Sequence, residues 1–507
     1  MTALLLAALL PTLDAEAAGD VPTWSGEVAA IVHAKCSGCH QPGQSGPFDL
    51  LSYDDAVEHS ETIAAVIDDG YMPPWPPTAS PELMHDRRLA EPQERTLLAW
   101  VRGGTPAGDL DAAPQPTLYD DGWRLGTPDL VVEMDRVYEV PADGRDIYRW
   151  FALPLDLDED KYVTAIEFQP TARGAVHHVL FYYDQSGRAV QRERLGSLDG
   201  QPGFRGMRTT PEAMLGGYVP GAVPQKYPDG LGVRLPAGSD LVLQTHFHPS
   251  GKRESERSKV ALYFADRTPD HPLHAVQLPP AFGRMAGIDI PAGEADWTLT
   301  DDAVLPTDVT AIGVSGHAHY VCSEMAMTAT LPDGSTQTLL EIADWDLDWQ
   351  GDYLFERPID LPAGTRLSVT IKYDNSAANP DNPFSPPRRI KWGPQSTDEM
   401  GSMTLQVITG DAGDDEQMKR AIKRHRVLRA LPNRAIEKRL KTLPEPSVAE
   451  RIWFAALDRS QDGKLQKGET PEKYHELHDM LDVDSDGGVS MEEMRALRAY
   501  GIKLPTR

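Results

Sequence analysis

Several groups of residues in this chain have the types and spacing for redox and metal chemistry. Cys36-Ser37-Gly38-Cys39-His40 is a C-x-x-C-H run. Two thiols three positions apart can each bond a haem vinyl group, and the adjacent imidazole then lies under the iron. A zinc or redox C-x-x-C pair is the plainer alternative, but no second cysteine pair exists to complete a zinc site. Tyr71-Met72-Pro73-Pro74-Trp75 offers Met72 on a proline-stiffened loop as sixth ligand, with Met84 and His85 as alternatives. His33 and His59 read as surface or core residues.

Of 15 histidines, several fall in tight clusters. Val176-His177-His178-Val179 puts two imidazoles side by side in an apolar run; His246-Phe247-His248 and His317-Ala318-His319 are H-x-H pairs. On a strand, positions i and i+2 share a face, so an H-x-H pair can chelate one ion. Adjacent histidines point to opposite faces, so sharing an ion requires a bulge or mixed Nδ1 and Nε2 ligation. One such pair is ordinary core chemistry; three suggest metal, and neutral imidazoles suit copper, zinc or iron.

Near the C-terminus two acidic loops follow the calcium-loop pattern. Asp458, Ser460, Asp462, Lys464 (through its carbonyl), Gln466 and Glu469 form the first; Asp482, Asp484, Asp486, Gly488 (carbonyl), Ser490 and Glu493 form the second. Gly463 and Gly487 stand at the sharp turns, and Leu465 and Val489 where paired loops exchange a short β contact. Two bound calcium ions of structural purpose are expected.

The order His177-His178, then Leu243-Gln244-Thr245-His246-Phe247, then Gly316-His317-Ala318-His319, then Thr397-Asp398-Glu399-Met400-Gly401 resembles the copper type II, ascorbate-dependent monooxygenases. Their best-known members are the peptidylglycine α-hydroxylating and dopamine β-monooxygenase enzymes. Tyr373-Asp374-Asn375-Ser376, Asn379-Pro380 and Trp392-Gly393 add to the likeness, which covers about residues 120–410. The Met72-Pro73-Pro74-Trp75 run resembles haem domains fused to bacterial proteins of this copper type. The resemblance implies two copper ions. His177, His178 and His246 would hold one, storing an electron. His317, His319 and Met400 would hold the other, where O₂ binds and catalysis occurs; Met325 and Met327 compete with Met400 by proximity in sequence. His248 would be a supporting or surface residue. The implied reaction inserts one oxygen atom of O₂ into a C–H bond of a small or medium organic substrate, the other leaving as water. Two electrons are needed; the family takes them from ascorbate, and here the covalent haem c is the expected supplier to the three-histidine site. An external donor such as ascorbate, a quinol or another cytochrome would refill it. Ser315, Ser402 and Thr404 replace an Arg, an Asn and a Tyr that hold a peptide carboxylate in the amidating members, which argues against a peptidylglycine substrate. The rival readings are a non-catalytic haem and copper electron-transfer or copper-binding protein, and an oxidase or reductase of a small oxygen or nitrogen species.

These sites need elements to carry them. Apolar residues at helical spacing over 26–35 deliver Cys36, and Glu94–Val101 reads as a helix ended by Gly103-Gly104. From about residue 123 to 410 the pattern turns to short alternating runs, such as 131–134, 162–166, 241–244 and 367–371, separated by Pro-Ala-Gly and Pro-Asp-Gly turns. Such runs predict β-sandwiches. The expected organisation is a signal peptide (1–19), a small all-α c-type cytochrome domain (20–109), a linker (110–122), two all-β jelly-roll-like copper sandwiches (123–270 and 271–412), a basic helical connector (413–446) and an α-helical EF-hand pair (447–507). At 507 residues the chain has room for them all. Its net charge of −28 argues against nucleic acid or an anionic membrane. Only three cysteines occur, so stability cannot rest on disulfides. The short apolar run Ala3–Leu10 and Ala15-Glu16-Ala17 suggest export, periplasmic or secreted, and no run reaches transmembrane length.

Overall fold

The computed structural model describes residues 21–42, 44, 46–118, 122–194, 201–202, 213–220, 223–271, 273–284, 286–430, 448–470, 478 and 488–491. The expected signal peptide (1–19), residues 431–446 of the expected connector, and Asp482, Asp484, Asp486 and Glu493 of the second acidic loop lie outside the described residues. The chain divides into two compact units, Met1–Trp75 with Arg87–Leu118, and Pro76–Asp86 with Tyr119–Arg507.

The first unit is helical. Trp24, Val28, Val32, Leu50, Ile63, Ile67, Leu97 and Trp100 form its core. Helix Glu91–Arg102 starts with Pro92 in its first turn, where a missing N–H costs nothing, and ends at Gly103. Helix Ala29–Lys35 runs directly into Cys36. The Cys36 and Ser37 amides donate to the Val32 carbonyl at 2.8 and 2.9 Å, and those of Cys39 and His40 to the Cys36 carbonyl at 3.1 and 3.0 Å. The pentapeptide is therefore wound tightly.

The second unit is built mainly of two antiparallel β-sandwiches. In the first, a five-stranded sheet runs in the order 201–202, β1 (Ile147–Pro154), β3 (Asp240–Phe247), β2 (Val176–Asp184), 213–218. Its companion sheet pairs 130–133, 259–264, 161–169 and 233–235. β3 is central, so Leu241–Phe247 is buried along its whole length. In the second sandwich one sheet runs 273–278, β6 (Gly401–Thr409), β4 (Val309–Ala318), β5 (Asp352–Leu361), and the other 297–304, 366–373, 322–330, 336–342. The first sandwich's last strand ends at Phe264 and the second's first begins at Leu273.

Two further pieces dress the second sandwich. Residues 76–86 cross its edges, exchanging backbone bonds at 341 (Thr78 N to Glu341 O, 2.8 Å) and 354–356 (Met84 N to Leu354 O, 2.8 Å; Glu356 N to Glu82 O, 2.9 Å). Met84 and His85 thus belong to the second unit, whereas His40 and Met72 belong to the first. Helix Ala412–Ala430 is pinned to the sandwich by His274 Nε2 with Asp415 (2.6 Å), His425 Nε2 with Asp301 (2.9 Å), and an Arg429–Asp301 pair. Farther on, Lys464–Gln466 pairs antiparallel with Gly488–Ser490, setting Leu465 against Val489. No described helix is long and apolar enough to cross a membrane.

Candidate metal centre

The facing surfaces of the two sandwiches carry the clustered histidines. In the β2–β3 ladder Val176 opposes Phe247 and His178 opposes His246, with the register shifting between them. The extra residue is His177. This bulge turns both neighbouring imidazoles to one side, as a shared ion requires. His178 Nδ1 lies 3.2 Å from His177 Nδ1 and 3.3 Å from His246 Nδ1. Among the described residues, the three rings form a group whose ligand atoms lie within 4.8 Å of one another. Nitrogens about 2.0–2.1 Å from a tetrahedral ion stand roughly 3.3–3.4 Å apart, so the spacing suits a metal. Two unprotonated imidazole nitrogens at this distance repel unless a proton or a cation lies between them.

The surroundings keep these rings neutral. Burial, then neighbouring imidazoles, holds His177 down at about 3 and His178 well below its ordinary value. His246 is lowered by burial too, although Asp146 opposes the shift. His246 Nε2 stands 3.1 Å from Asp146 Oδ2, without the alignment of a full hydrogen bond; a proton on that nitrogen leaves the Nδ1 lone pair facing the other rings. Tyr148, opposite His246 in the β1–β3 ladder, stacks on its ring at 4.3 Å and 7°.

The second cluster lies on β4 and beside β6. His317 opposes Ser402 and Ala318 opposes Gly401, so one step further brings His319 beside Met400. Two carbonyl-type acceptors set the tautomers. Gln350 Nε2 donates to Leu347 O at 3.0 Å, so its Oε1, 2.7 Å from His317 Nδ1, accepts from that ring. His319 Nδ1 faces the Asp398 carbonyl at 3.3 Å. A carbonyl oxygen only accepts, so both rings carry their proton on Nδ1 and present Nε2. Their centroids are 5.4 Å apart, and burial lowers His317 to about 4 and His319 well below the ordinary range.

Glu399 ties His319 to Met400. Its fully buried carboxylate accepts from the His319 and Met400 amides on one oxygen (2.6 and 2.8 Å) and from Val321 N on the other (3.3 Å). Burial pushes this carboxyl up to about 8 despite those donors. The Tyr373 hydroxyl donates to the Met400 carbonyl at 2.9 Å, and a Cβ at Gly401 would collide with that hydroxyl. Met325 lies elsewhere: it is in the core against Gly316, where a Cβ would run into its sulfur, and Met327 is fully buried. The alternation of β4 therefore sets Met325 on the face opposite His317.

The two clusters adjoin. The His178 and His317 rings meet edge to face with centroids 6.5 Å apart. Phe282 packs edge-on against His317 at 5.0 Å from a turn in which it and Ala281 both have positive φ, 54° and 53°. The Tyr148 hydroxyl donates to the Pro394 carbonyl, and Ser396 Oγ lies 3.1 Å from Asp146 Oδ2, joining the sandwiches.

No protein-family model matches the chain, and no curated protein matches it. Among solved structures it is similar to a peptide-N(4)-(N-acetyl-β-D-glucosaminyl)asparagine amidase (13% identity over 56% of this chain and 97% of that one, TM-score 0.24). It is also similar to the major capsid protein P2 of bacteriophage PM2 (9%, 56% and 98%, 0.23) and to a protein of infectious bursal disease virus, Gx strain (11%, 59% and 76%, 0.18). Likenesses this distant carry neither fold nor function to this chain.

The H-x-H at 246–248 does not act as a chelating pair. His246 joins the triad, while His248 is 58% exposed and places Nδ1 2.9 Å from Asp146 Oδ1. Sequence reasoning missed Asp146, Tyr148, Gln350 and Ser396, none of which lies in a motif, and gave Glu399 no role although it adjoins Met400.

In the helical unit, His40 Nδ1 faces the Phe48 carbonyl at 3.1 Å, leaving Nε2 as its free ligand atom. His59 stacks on Phe48 at 3.7 Å, and His33 Nε2 faces Leu51 O at 3.2 Å. In the first acidic loop, Asp458 Oδ2 accepts from Gly463 N (3.0 Å), and Glu469 accepts from Ser460 N (2.7 Å) and Gln466 N (2.9 Å).

Proposed function

We propose that this chain is an exported copper-dependent monooxygenase that hydroxylates a C–H bond of an organic substrate with O₂, fed by an attached c-type haem. The observation carrying this reading is the apposition of a three-imidazole cluster to the His317–His319 pair, beside which the strand register sets Met400. The donor sets differ in a way that suits division of labour. Three Nδ1 atoms in a buried pocket favour a stable electron-storing ion, whereas two Nε2 atoms with a thioether favour the cuprous state. Copper bound there would supply one-electron redox steps and O₂ activation. The chain's own residues keep the imidazoles neutral by burial, hold the tautomers through Gln350 and the Asp398 carbonyl, and shield the junction with Phe282 and Tyr148.

In the helical unit, Cys36, Cys39 and His40 fit covalent haem, with the Phe48 carbonyl orienting the axial imidazole and Met72 as our assignment for the sixth ligand. Asp458, Ser460, Asp462, Lys464, Gln466 and Glu469 fit calcium. The test measures copper and haem content, then oxygen uptake over a panel of organic substrates with product analysis. Two copper ions, one haem and substrate-linked uptake yielding a hydroxylated product are expected. Full metal content with no uptake would instead make the protein an electron-transfer or copper-binding one. Replacing Cys36 and Cys39 by serine should abolish turnover with a cytochrome donor but spare it with ascorbate. Equal loss with both, in folded protein with full copper, would remove the haem from the electron route.

A further inference from the structure

One carboxylate touches both metal clusters' supports. Asp146 is only 11% exposed at its side chain and faces four groups. Its Oδ1 lies 2.9 Å from His248 Nδ1; its Oδ2 lies 3.1 Å from His246 Nε2 and accepts from Ser396 Oγ (3.1 Å) and Ser396 N (3.4 Å). His246 and His248 belong to the first sandwich. Ser396 belongs to the second, at the tip of a loop that ends at Met400.

That loop is tied across its base by a parallel bridge between Trp392 and Glu399. Glu399 N donates to Lys391 O at 3.0 Å and Gly393 N to Glu399 O at 3.1 Å; Asp398 N donates to Gln395 O at 2.8 Å, and a Cβ at Gly393 would strike Asp398. Its tip leans on the first sandwich at two points, Ser396 on Asp146 and Pro394 under the Tyr148 hydroxyl. Its base is Glu399, which holds the His319 and Met400 amides. A displacement at Asp146 therefore reaches both the His246 ring and, through a short hydrogen-bonded loop, the backbone of Met400.

We propose that Asp146 is a positioning residue shared by both metal clusters, and that with the 391–399 loop it couples them. An ion drawn to His246 Nδ1 strengthens the claim of Nε2 on Asp146. That holds Ser396 in place and keeps Met400 beside His319. By linkage the coupling is reciprocal, so an ion at Met400 must favour one at the triad by the same factor. The idea rests on the two-site reading above.

The test titrates the full chain anaerobically with cuprous ion against a coloured chelator. His319→Ala isolates the triad, and His178→Ala isolates the methionine site. Asp146→Asn should weaken the triad about 10–100-fold, the usual effect of removing a carboxylate behind a ligating imidazole. It should also weaken the methionine site by roughly 5-fold or more, with loss of the sulfur scatterer from the copper X-ray absorption spectrum. Ser396→Ala, which touches no ligand, should weaken the methionine site alone, and Asp146→Glu should restore part of both affinities. If Asp146→Asn weakens the triad only and the sulfur scatterer persists, the coupling is wrong. Should Asp146→Asn fail to fold, an unchanged methionine site in Ser396→Ala overturns it as well. Fewer than two ions in the unaltered protein would instead sink the two-site reading, and the link with it.

Discussion

At the residue scale, the centre is governed less by its imidazoles than by what holds their second nitrogen. Gln350 is the clearest case. It stands 33 residues from His317 in sequence, yet its carbonyl oxygen selects the Nδ1–H tautomer and frees Nε2. Gln350→Leu keeps the volume and removes the acceptor. Copper affinity at the His317 cluster is expected to fall about 10–100-fold in chelator competition, with the triad unaffected. Unchanged affinity would show that packing against Phe282 suffices to orient the ring.

At the element scale, the β2–β3 ladder combines a useful irregularity with an electrostatic cost. The bulge that gathers His177 and His178 lies at one end. At the other, Asp184 and Asp240 stand directly opposite. Burial, then Asp184 and Asp156, pushes the Asp240 carboxyl up to about 6. The folded chain thus holds this proton more tightly than the unfolded chain, whose Asp titrates near 3.9. Between those values the folded state carries the extra proton, so stability falls as pH rises from about 4 to about 6. Asp240→Asn removes this penalty. It should stabilise by on the order of 1 kcal/mol at pH 7, after solvent screening, with the gain vanishing below about pH 4. Denaturant unfolding at both pH values checks it.

At the scale of the second unit, segments distant in sequence close the edges of the second sandwich. Residues 76–86 bond to 341 and 354–356, positions on edge strands that would otherwise expose unpaired amides and carbonyls. Helix Ala412–Ala430 is attached through Asp301, a carboxylate 4% exposed that meets both His425 and Arg429. Asp301→Ala leaves these partners without their acceptor in a half-buried setting and is expected to cost about 3 kcal/mol. The loss should appear as a lower melting temperature. A change within experimental error would make the helix a loosely held appendage.

Much of this is legible in the sequence itself. The runs marked the strands: 367–371 lies within 366–373, a half-buried ladder with the expected two-residue period, and the apolar run 241–244 lies within 240–247, which is buried on both faces. Adjacent His177 and His178 required a bulge or mixed Nδ1 and Nε2 ligation to share an ion, and a bulge is there. Leu465 meets Val489 as the spacing of the acidic loops demanded. What sequence could not decide was direction and distance. Whether Met325 or Met400 joins His317 depends on which face of the sheet each side chain takes. Register across paired strands decides that, and no local signal encodes it. Asp146 and Ser396, 250 positions apart, meet only because two sandwiches pack face to face. Residue type and local period specify which chemistry is available; long-range strand pairing and packing select the atoms that meet, and thus the form that chemistry takes.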